Sequence, residues 1–305
     1  MVDSKPQPFI HLSLEVSQAI ASGQPVVALE STVITHGLPF PENQHIAEQM
    51  EAEVRGMGVV PATIAMIAGC FRVGLNRHQL GYLAKGKGMQ KLSPRDFALA
   101  IARKQDGGTT VAGTIFIARQ VGIKVFATGG IGGVHRYPPY DISADLMQLA
   151  NTPMVVVCAG AKAILDLPGT VELLETLGVP VIGYRTDEFP AFYCQSSGLA
   201  LKRRVDAPKE IARLAEVHWG LGLKSAILVV TPPPKEVALP EAMVQRAVSQ
   251  AIEEAHEQGV RGQEMTPFLL RRVGELTGGE SLRANLALLR HNARLAAQIA
   301  IEMGG

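Results

Sequence analysis

The sequence predicts an α/β protein, one three-layer α/β/α domain over residues 1–305 with a mostly parallel central sheet. Three observations lead there. Apolar runs of strand length alternate with segments of helical period, the order expected of parallel strands covered on both faces. Hydrophobic residues make up 47% of the chain but aromatic residues only 5%, so the core must be built mainly of Val, Ile, Leu and Ala. The 31 glycines imply many tight turns or close backbone approaches. No linker, low-complexity tract or fixed-period repeat divides the chain.

The elements are read in chain order. Pro25 to Glu30 (PVVALE) reads as a strand, and Asn43 to Met57 as a helix with Ile46, Met50, Val54 and Met57 on one face. Ala62 to Ile67 is the next strand. Ser93, Pro94 and Asp96 mark a helix start, with a capping hydroxyl, a proline in the first turn and an acid at its end. A helix beginning near Thr109 leads into the strand Ile123 to Thr128 and the loop Gly129 to Gly133 (GGIGG). Met154 to Cys158 is the most uniformly apolar run, which predicts a central strand buried on both faces. Pro168 opens a helix that Gly178 closes, and Val179 to Tyr184 and Ser225 to Val230 are further strands. Beyond Thr231 and its three prolines the chain reads as helical. Val244, Val248, Ala251, Ile252 and Ala255 form one stripe. Thr266-Pro267 caps a short helix, and Ser281 starts a last one with Leu282, Leu286, Leu289, Ala293 and Ala296 facing inward.

Composition excludes several classes of partner. A net charge of +1 gives no basic footprint for nucleic acid, and no apolar run approaches the ~18 residues of a membrane span. Cys70, Cys158 and Cys194 have apolar flanks and no C-x-x-C spacing, which predicts buried reduced thiols and a cytoplasmic protein. Residues 1–8, with two prolines, predict a disordered tail.

In open α/β sheets ligands bind at the carboxyl ends of strands. Glu30, the glycine loop and Lys162 stand at three such ends. A lysine beyond a buried strand can lose solvation and serve as an amine nucleophile, although the same position suits a helix cap or a solvent-facing side chain. Glu30 fits a general acid/base or a carboxylate capping a turn. The loop Gly129 to His135 could cradle an oxyanion or form a plain tight turn. His135 replaces the third glycine of a dinucleotide fingerprint and Pro138-Pro139 stop the helix that should come next, which excludes nicotinamide binding. Asp141 and Asp145 would share a face if a helix begins there, and could then hold a hard cation; Asp141 could equally be that helix's cap. Lys91 and Asn285 are unremarkable by position alone.

Taken together, ALESTVITHGLPFPEN (28–43), PATIAMIAG (61–69), KLSPRD (91–96), FATGGIGGVHR (126–136), DISADL (141–146), VVVCAGAKAILD (155–166) and TPFLLRRVGELTGGESLRANLALL (266–289) resemble the pseudouridine-5′-phosphate glycosidase family, which includes the indigoidine-cluster A proteins. The resemblance runs from about Phe9 to Ile301. It implies a homotrimeric α/β/α enzyme with manganese that reversibly splits the C–C glycosidic bond of pseudouridine 5′-phosphate. By motif, Lys162 matches the imine-forming lysine, Glu30 the acid/base and Asp141 the metal ligand. Lys91, Val111, Ser143, Ala144 and Asp145 match substrate contacts, and His135 and Asn285 further pocket residues. The loop Arg136 to Tyr140 departs from the pattern, being shorter and carrying Pro-Pro. Such chemistry suits the residues: a C-glycoside offers no heteroatom to protonate, so an amine that captures C1′ of the opened sugar as an imine supplies the electron sink that paired carboxylates cannot. A relative acting on another C-nucleoside or sugar phosphate, in pigment formation for example, and a non-catalytic sugar-phosphate binder of the same fold remain alternatives.

Overall fold

The computed structural model describes residues 8–136 and 140–304. Thirteen strands occur among them: β1 (Ile10–Leu12), β2 (Val26–Leu29), β3 (Val60–Ile67), β4 (Cys70–Val73), β5 (Gln90–Leu92), β6 (Gly107–Thr109), β7 (Val125–Ala127), β8 (Val134–His135), β9 (Val155–Cys158), β10 (Leu165–Asp166), β11 (Val181–Tyr184), β12 (Arg204–Val205) and β13 (Ile227–Val230). The helices are α1 (Leu14–Ser22), α2 (Glu42–Arg55), α3 (Arg77–Lys85), α4 (Phe97–Ala102), α5 (Val111–Gln120), α6 (Ala144–Ala150), α7 (Leu167–Thr176), α8 (Pro208–Gly220), α9 (Glu241–Glu257), α10 (Met265–Leu276) and α11 (Glu280–Glu302).

The sheet runs β1-β4-β3-β2-β7-β9-β13-β11-β12, and every neighbouring pair on this path is parallel except β3 with β4. Helix α11 packs on α2 and α8 and lies across β2, β7 and β9, while α1 and α5 pack on β2 and β3 and α6 packs on α5 and α7. The predicted mostly parallel α/β/α architecture is therefore present. β9 lies between β7 and β13 with all four residues buried, as its composition required. The antiparallel pairs, β3 with β4 and with β6, were not legible in the sequence. They matter to the site: the second half of β3, past its pairing with β2, carries β6, and β6 in turn carries β5 with Lys91 opposite Gly108.

Three predicted helix starts move. The capping box of Ser93 and Asp96 forms, but around a 3-10 turn Pro94–Asp96 that precedes α4. Thr266 does not cap α10; a 3-10 turn Gly262–Glu264 feeds the helix, which begins at Met265 and takes Pro267 into its first turn. α11 begins at Glu280 behind Gly279, whose φ of +86° only glycine adopts readily. On α11, Leu282 and Leu286 are half-buried, and Ser281, Asn285 and Asn292 share the inward stripe with Leu289, Ala293 and Ala296. An apolar template could not find those polar members. Residues 1–7 of the predicted tail and the Pro138-Pro139 rim lie outside the described residues.

Candidate active site

β2, β7 and β9 are consecutive and parallel, so the residues just past their carboxyl ends share one edge of the sheet. Glu30 comes after β2, Thr128 after β7, and Ala159 to Lys162 after β9. Pairing continues irregularly past the strand ends: Ala159 N donates to Gly129 O (2.9 Å), Ile131 N to Gly160 O (3.1 Å) and Lys162 N to Ile131 O (3.1 Å). The glycine loop is thus stitched to the segment carrying Lys162.

Its glycines are there for proximity rather than for a turn. A Cβ on Gly130 would lie 2.6 Å from Cε2 of Phe192, and one on Gly132 would lie 2.3 Å from Oγ of Ser143. Phe192 itself sits at φ +61°, a conformation strained for a bulky side chain, with its ring edge-on to Tyr193.

These elements enclose a chamber of about 60 Å³ walled by Glu30, Lys91, Lys162, Gly130, Phe192 and Asn285. A cleft of about 970 Å³ between α10, α11 and the turn Val33–Gly37 shares His36, Lys91, Leu270 and Asn285 with it. The chamber is the floor of that cleft.

Glu30 is 7% exposed, and each of its oxygens accepts a hydroxyl, Oε1 from Thr128 and Oε2 from Thr32. Lys91 is held down to a pKa of about 8, first by burial and then by the charge of Lys162, with Asp145 and Glu30 pulling the other way. At pH 7 about a tenth of such an amine is neutral. His36 bonds Thr35 Oγ1 through Nδ1 (2.7 Å), and burial, then Lys91, hold its pKa below the usual value.

The Asp141 to Asp145 segment is built differently from the predicted shared face. Ser143 caps α6, which starts only at Ala144, and Asp141 lies before the helix. Asp145 is 5% exposed and both of its oxygens hold backbone amides: Oδ1 accepts from Ala112 N (2.9 Å) and Oδ2 from Gly132 N (2.8 Å). Spacing alone left open a shared helical face or Asp141 as the helix cap; Ser143 is the cap and the helix starts at Ala144, so neither arrangement forms. Asp141 is half-buried, and His135 Nδ1 lies 3.9 Å from its Oδ2. Burial lowers the His135 pKa, opposed by Asp141. Among the described residues no three His, Cys, Asp or Glu converge as a metal cage. The donor set still suits a cation that keeps most of its waters, since Asp141 offers a hard oxygen ligand ahead of the helix.

Of the residues singled out from the sequence, Glu30, Lys162, Lys91 and Asn285 line the chamber. His135 stands within electrostatic reach of Lys162 and Lys91. Val111, Ser143, Ala144 and Asp145 stand at the starts of α5 and α6, Ser143 and Asp145 against Gly132, and do not wall the chamber. Sequence reasoning missed Thr128 and Phe192. The strand-end rule that found Glu30 reaches Thr128 as well; nothing in the sequence marks Phe192.

An amine and a carboxylate walling one chamber at the carboxyl edge of a parallel sheet, with a second lysine beside them, define the active site of an enzyme. A family model described as "Indigoidine synthase A like protein" matches residues 15–302, and the chain belongs to that family. Relatives named pseudouridine-5′-phosphate glycosidase include those of Paracoccus denitrificans, 54% identical over 97% of this chain and 99% of the relative, and of Escherichia coli, 51% identical over 96% and 95%. That of Caldanaerobacter subterraneus subsp. tengcongensis is 51% identical over 97% of both. Among solved structures, the prealnumycin C-glycosynthase AlnA in complex with ribulose 5-phosphate superposes with a TM-score of 0.90 at 40% identity over 98% of both chains. An indigoidine synthase A-like protein from Thermotoga maritima does so with 0.90 at 35% identity over 97% of both.

Two further expectations meet the structure. All three cysteines are free; Cys70 is only half-buried, while burial pushes Cys158 up to about 12 and Cys194 up to about 11. No helix among the described residues is long and apolar enough to cross a membrane.

Proposed function

We propose that this chain reversibly cleaves the C–C glycosidic bond of pseudouridine 5′-phosphate, giving uracil and ribose 5-phosphate. The observation that carries the reading is the meeting of Glu30, Lys162 and Lys91 in one chamber, in a chain about half identical to relatives of that name. The chamber has room for the reacting carbon and its immediate neighbours, and the cleft above takes the remainder of the nucleotide.

The placement supports the following chemistry. The Lys162 amine adds to C1′ as the C1′–O4′ bond breaks and O4′ leaves as the protonated 4′-hydroxyl; the nitrogen lone pair then forms the C1′=N imine as the C1′–C5 bond breaks. Electrons of the C1′–C5 bond flow toward uracil, whose C5 takes up a proton. Water then returns the imine to ribose 5-phosphate and free Lys162, so one water is consumed overall. Glu30 moves the protons: its two partners are hydroxyls, which donate to the carboxylate and can rotate to accept from the acid. Lys91, charged for most of the time, holds the phosphate with His135 beside it, and that remote contact orients the reacting carbon.

Manganese belongs to the same reading. Asp141 would hold it, and the ion would supply charge neutralisation for the phosphate. Loss of manganese affinity in Asp141→Asn, measured by calorimetry, and loss of activity with chelator test that assignment. A homotrimer and a cytoplasmic setting complete the proposal. They are supported by the exposed apolar Leu99, Phe116, Ile142 and Met147 on or beside α4 to α6 and by the free thiols. A monomer mass in light scattering would remove the trimer.

The deciding experiment is borohydride reduction with ribose 5-phosphate followed by peptide mapping, beside an assay of uracil release. An adduct on Lys162 is expected. A Lys162 peptide left unmodified while uracil is released would end the imine mechanism.

A further inference from the structure

We infer that Asn292, which touches neither chamber nor cleft, is a positioning residue for Glu30 and acts through Thr128; the inference rests on the role given to Glu30 above. Asn292 is fully buried on α11, one and two turns beyond Leu288 and Asn285 on the same stripe. Its Nδ2 donates to Thr128 O (2.8 Å) and makes a longer contact to Gly129 O (3.4 Å). Only the amide nitrogen can serve two carbonyls, which fixes the orientation of the group.

Thr128 is thereby held at three points. Its N–H donates to Val157 O (3.0 Å), its carbonyl accepts from Asn292, and its hydroxyl donates to Glu30 Oε1. The first bond extends the sheet. The second comes from the helix layer and pins the peptide between Thr128 and Gly129, the point at which the chain leaves β7 to form the chamber wall. Without it that peptide can tilt, and the hydroxyl leaves Glu30 while the wall at Gly129 and Gly130 shifts.

An amide is an unexpected choice at this position if packing alone mattered. Leu288, Leu289, Ala293, Leu295 and Ala296 around it on the helix are buried and apolar, and a leucine would suit such surroundings. Among the described residues no donor reaches Asn292 Oδ1. Burying a half-satisfied amide is unfavourable, so the group is kept for what its nitrogen holds. Misplacement of a catalytic group by a fraction of an ångström lowers turnover more than binding.

A double-mutant cycle tests this. Asn292→Leu and Thr128→Val are each expected to lower kcat on pseudouridine 5′-phosphate roughly 10- to 100-fold with KM changed less than about threefold. The double variant should be no slower than the slower single one, because both changes break one relay. Thr128→Ser, which keeps the hydroxyl, should recover most of the loss. If Asn292→Leu does not fold, Asn292→Ala takes its place in the cycle. Losses that multiply in the double variant, a normal kcat in the Asn292 variant, or a KM that moves as much as kcat would each overturn the relay. A wild-type chain without activity on this substrate would instead remove the proposed function, and the relay with it.

Discussion

Glu30 and Asp145 are both buried carboxylates with both oxygens bonded, yet the molecule uses them in opposite ways. Glu30 is gripped by the hydroxyls of Thr32 and Thr128 and faces the chamber. Asp145 is gripped by the backbone amides of Ala112 and Gly132 and does not wall the chamber. A hydroxyl can turn and become an acceptor, so Glu30 can take or give a proton without losing its partners. A backbone amide can only donate, so Asp145 must stay an acceptor at both oxygens. On the proposed mechanism, the difference separates a group that can exchange a proton from one whose bonds tie the start of α5 to the glycine loop.

Neutral amide variants break the comparison most sharply. In Glu30→Gln the hydroxyls reorient around the new NH2, so the melting temperature should stay within a few degrees while kcat falls by roughly 10²–10⁴-fold. In Asp145→Asn the new NH2 must face a backbone N–H. One buried donor is left unmet at about 1–3 kcal/mol, which for a chain of this size is a drop of several degrees. Calorimetric melting beside a uracil-release assay reads both. A Glu30→Gln protein that melts as early as Asp145→Asn would erase the distinction.

Gly130→Ala probes the wall between the two carboxylates. The added methyl meets the Phe192 ring at 2.6 Å and the Gly160 carbonyl at 3.1 Å. Phe192 is already at a strained φ and packed on Tyr193, so it has little room to yield. A loss of about 1–3 kcal/mol is expected, with turnover falling as the Lys162 segment is displaced. Adding Phe192→Leu should recover part of the stability, and no recovery would show that the ring is not the obstacle.

How far the sequence showed all this depends on the kind of signal. Strand-length apolar runs located β2, β7 and β9, and the rule that ligands sit at strand ends then led to Glu30 and Lys162 without any structure. The shared face of Asp141 and Asp145 was conditional on a helix beginning at Asp141, and Ser143 caps the helix two residues later. The grip of Ala112 and Gly132 on Asp145 joins residues more than ten apart and leaves no periodic trace. The same holds for Lys91, whose arrival depends on the antiparallel β3–β6 pair. Asn292 was passed over because helical stripes are read from apolar residues, and Asn285, ordinary by position, was reached only through the resemblance.

The smallest effect concerns Lys91, the cation both carboxylates act on. Burial and Lys162 bring its pKa down to about 8, against the upward pull of Asp145 and, to a lesser extent, Glu30. Removing a nearby negative charge disfavours the ammonium, so each neutral variant should lower the value further, Asp145→Asn more than Glu30→Gln. If Lys91 holds the phosphate, affinity for ribose 5-phosphate is full below the pKa and falls as pH rises through it. Calorimetric titration from about pH 6 to pH 9 should therefore place the half-loss near 8 in the wild type, lower in Glu30→Gln and lowest in Asp145→Asn. Binding rather than turnover is the readout, so the inactive Glu30 variant remains measurable. A half-loss unmoved in Asp145→Asn would mean that the Asp145 carboxylate is electrostatically silent in the chamber and only structural. Equal shifts in both variants would mean that the buried wall between the two carboxylates does not distinguish them.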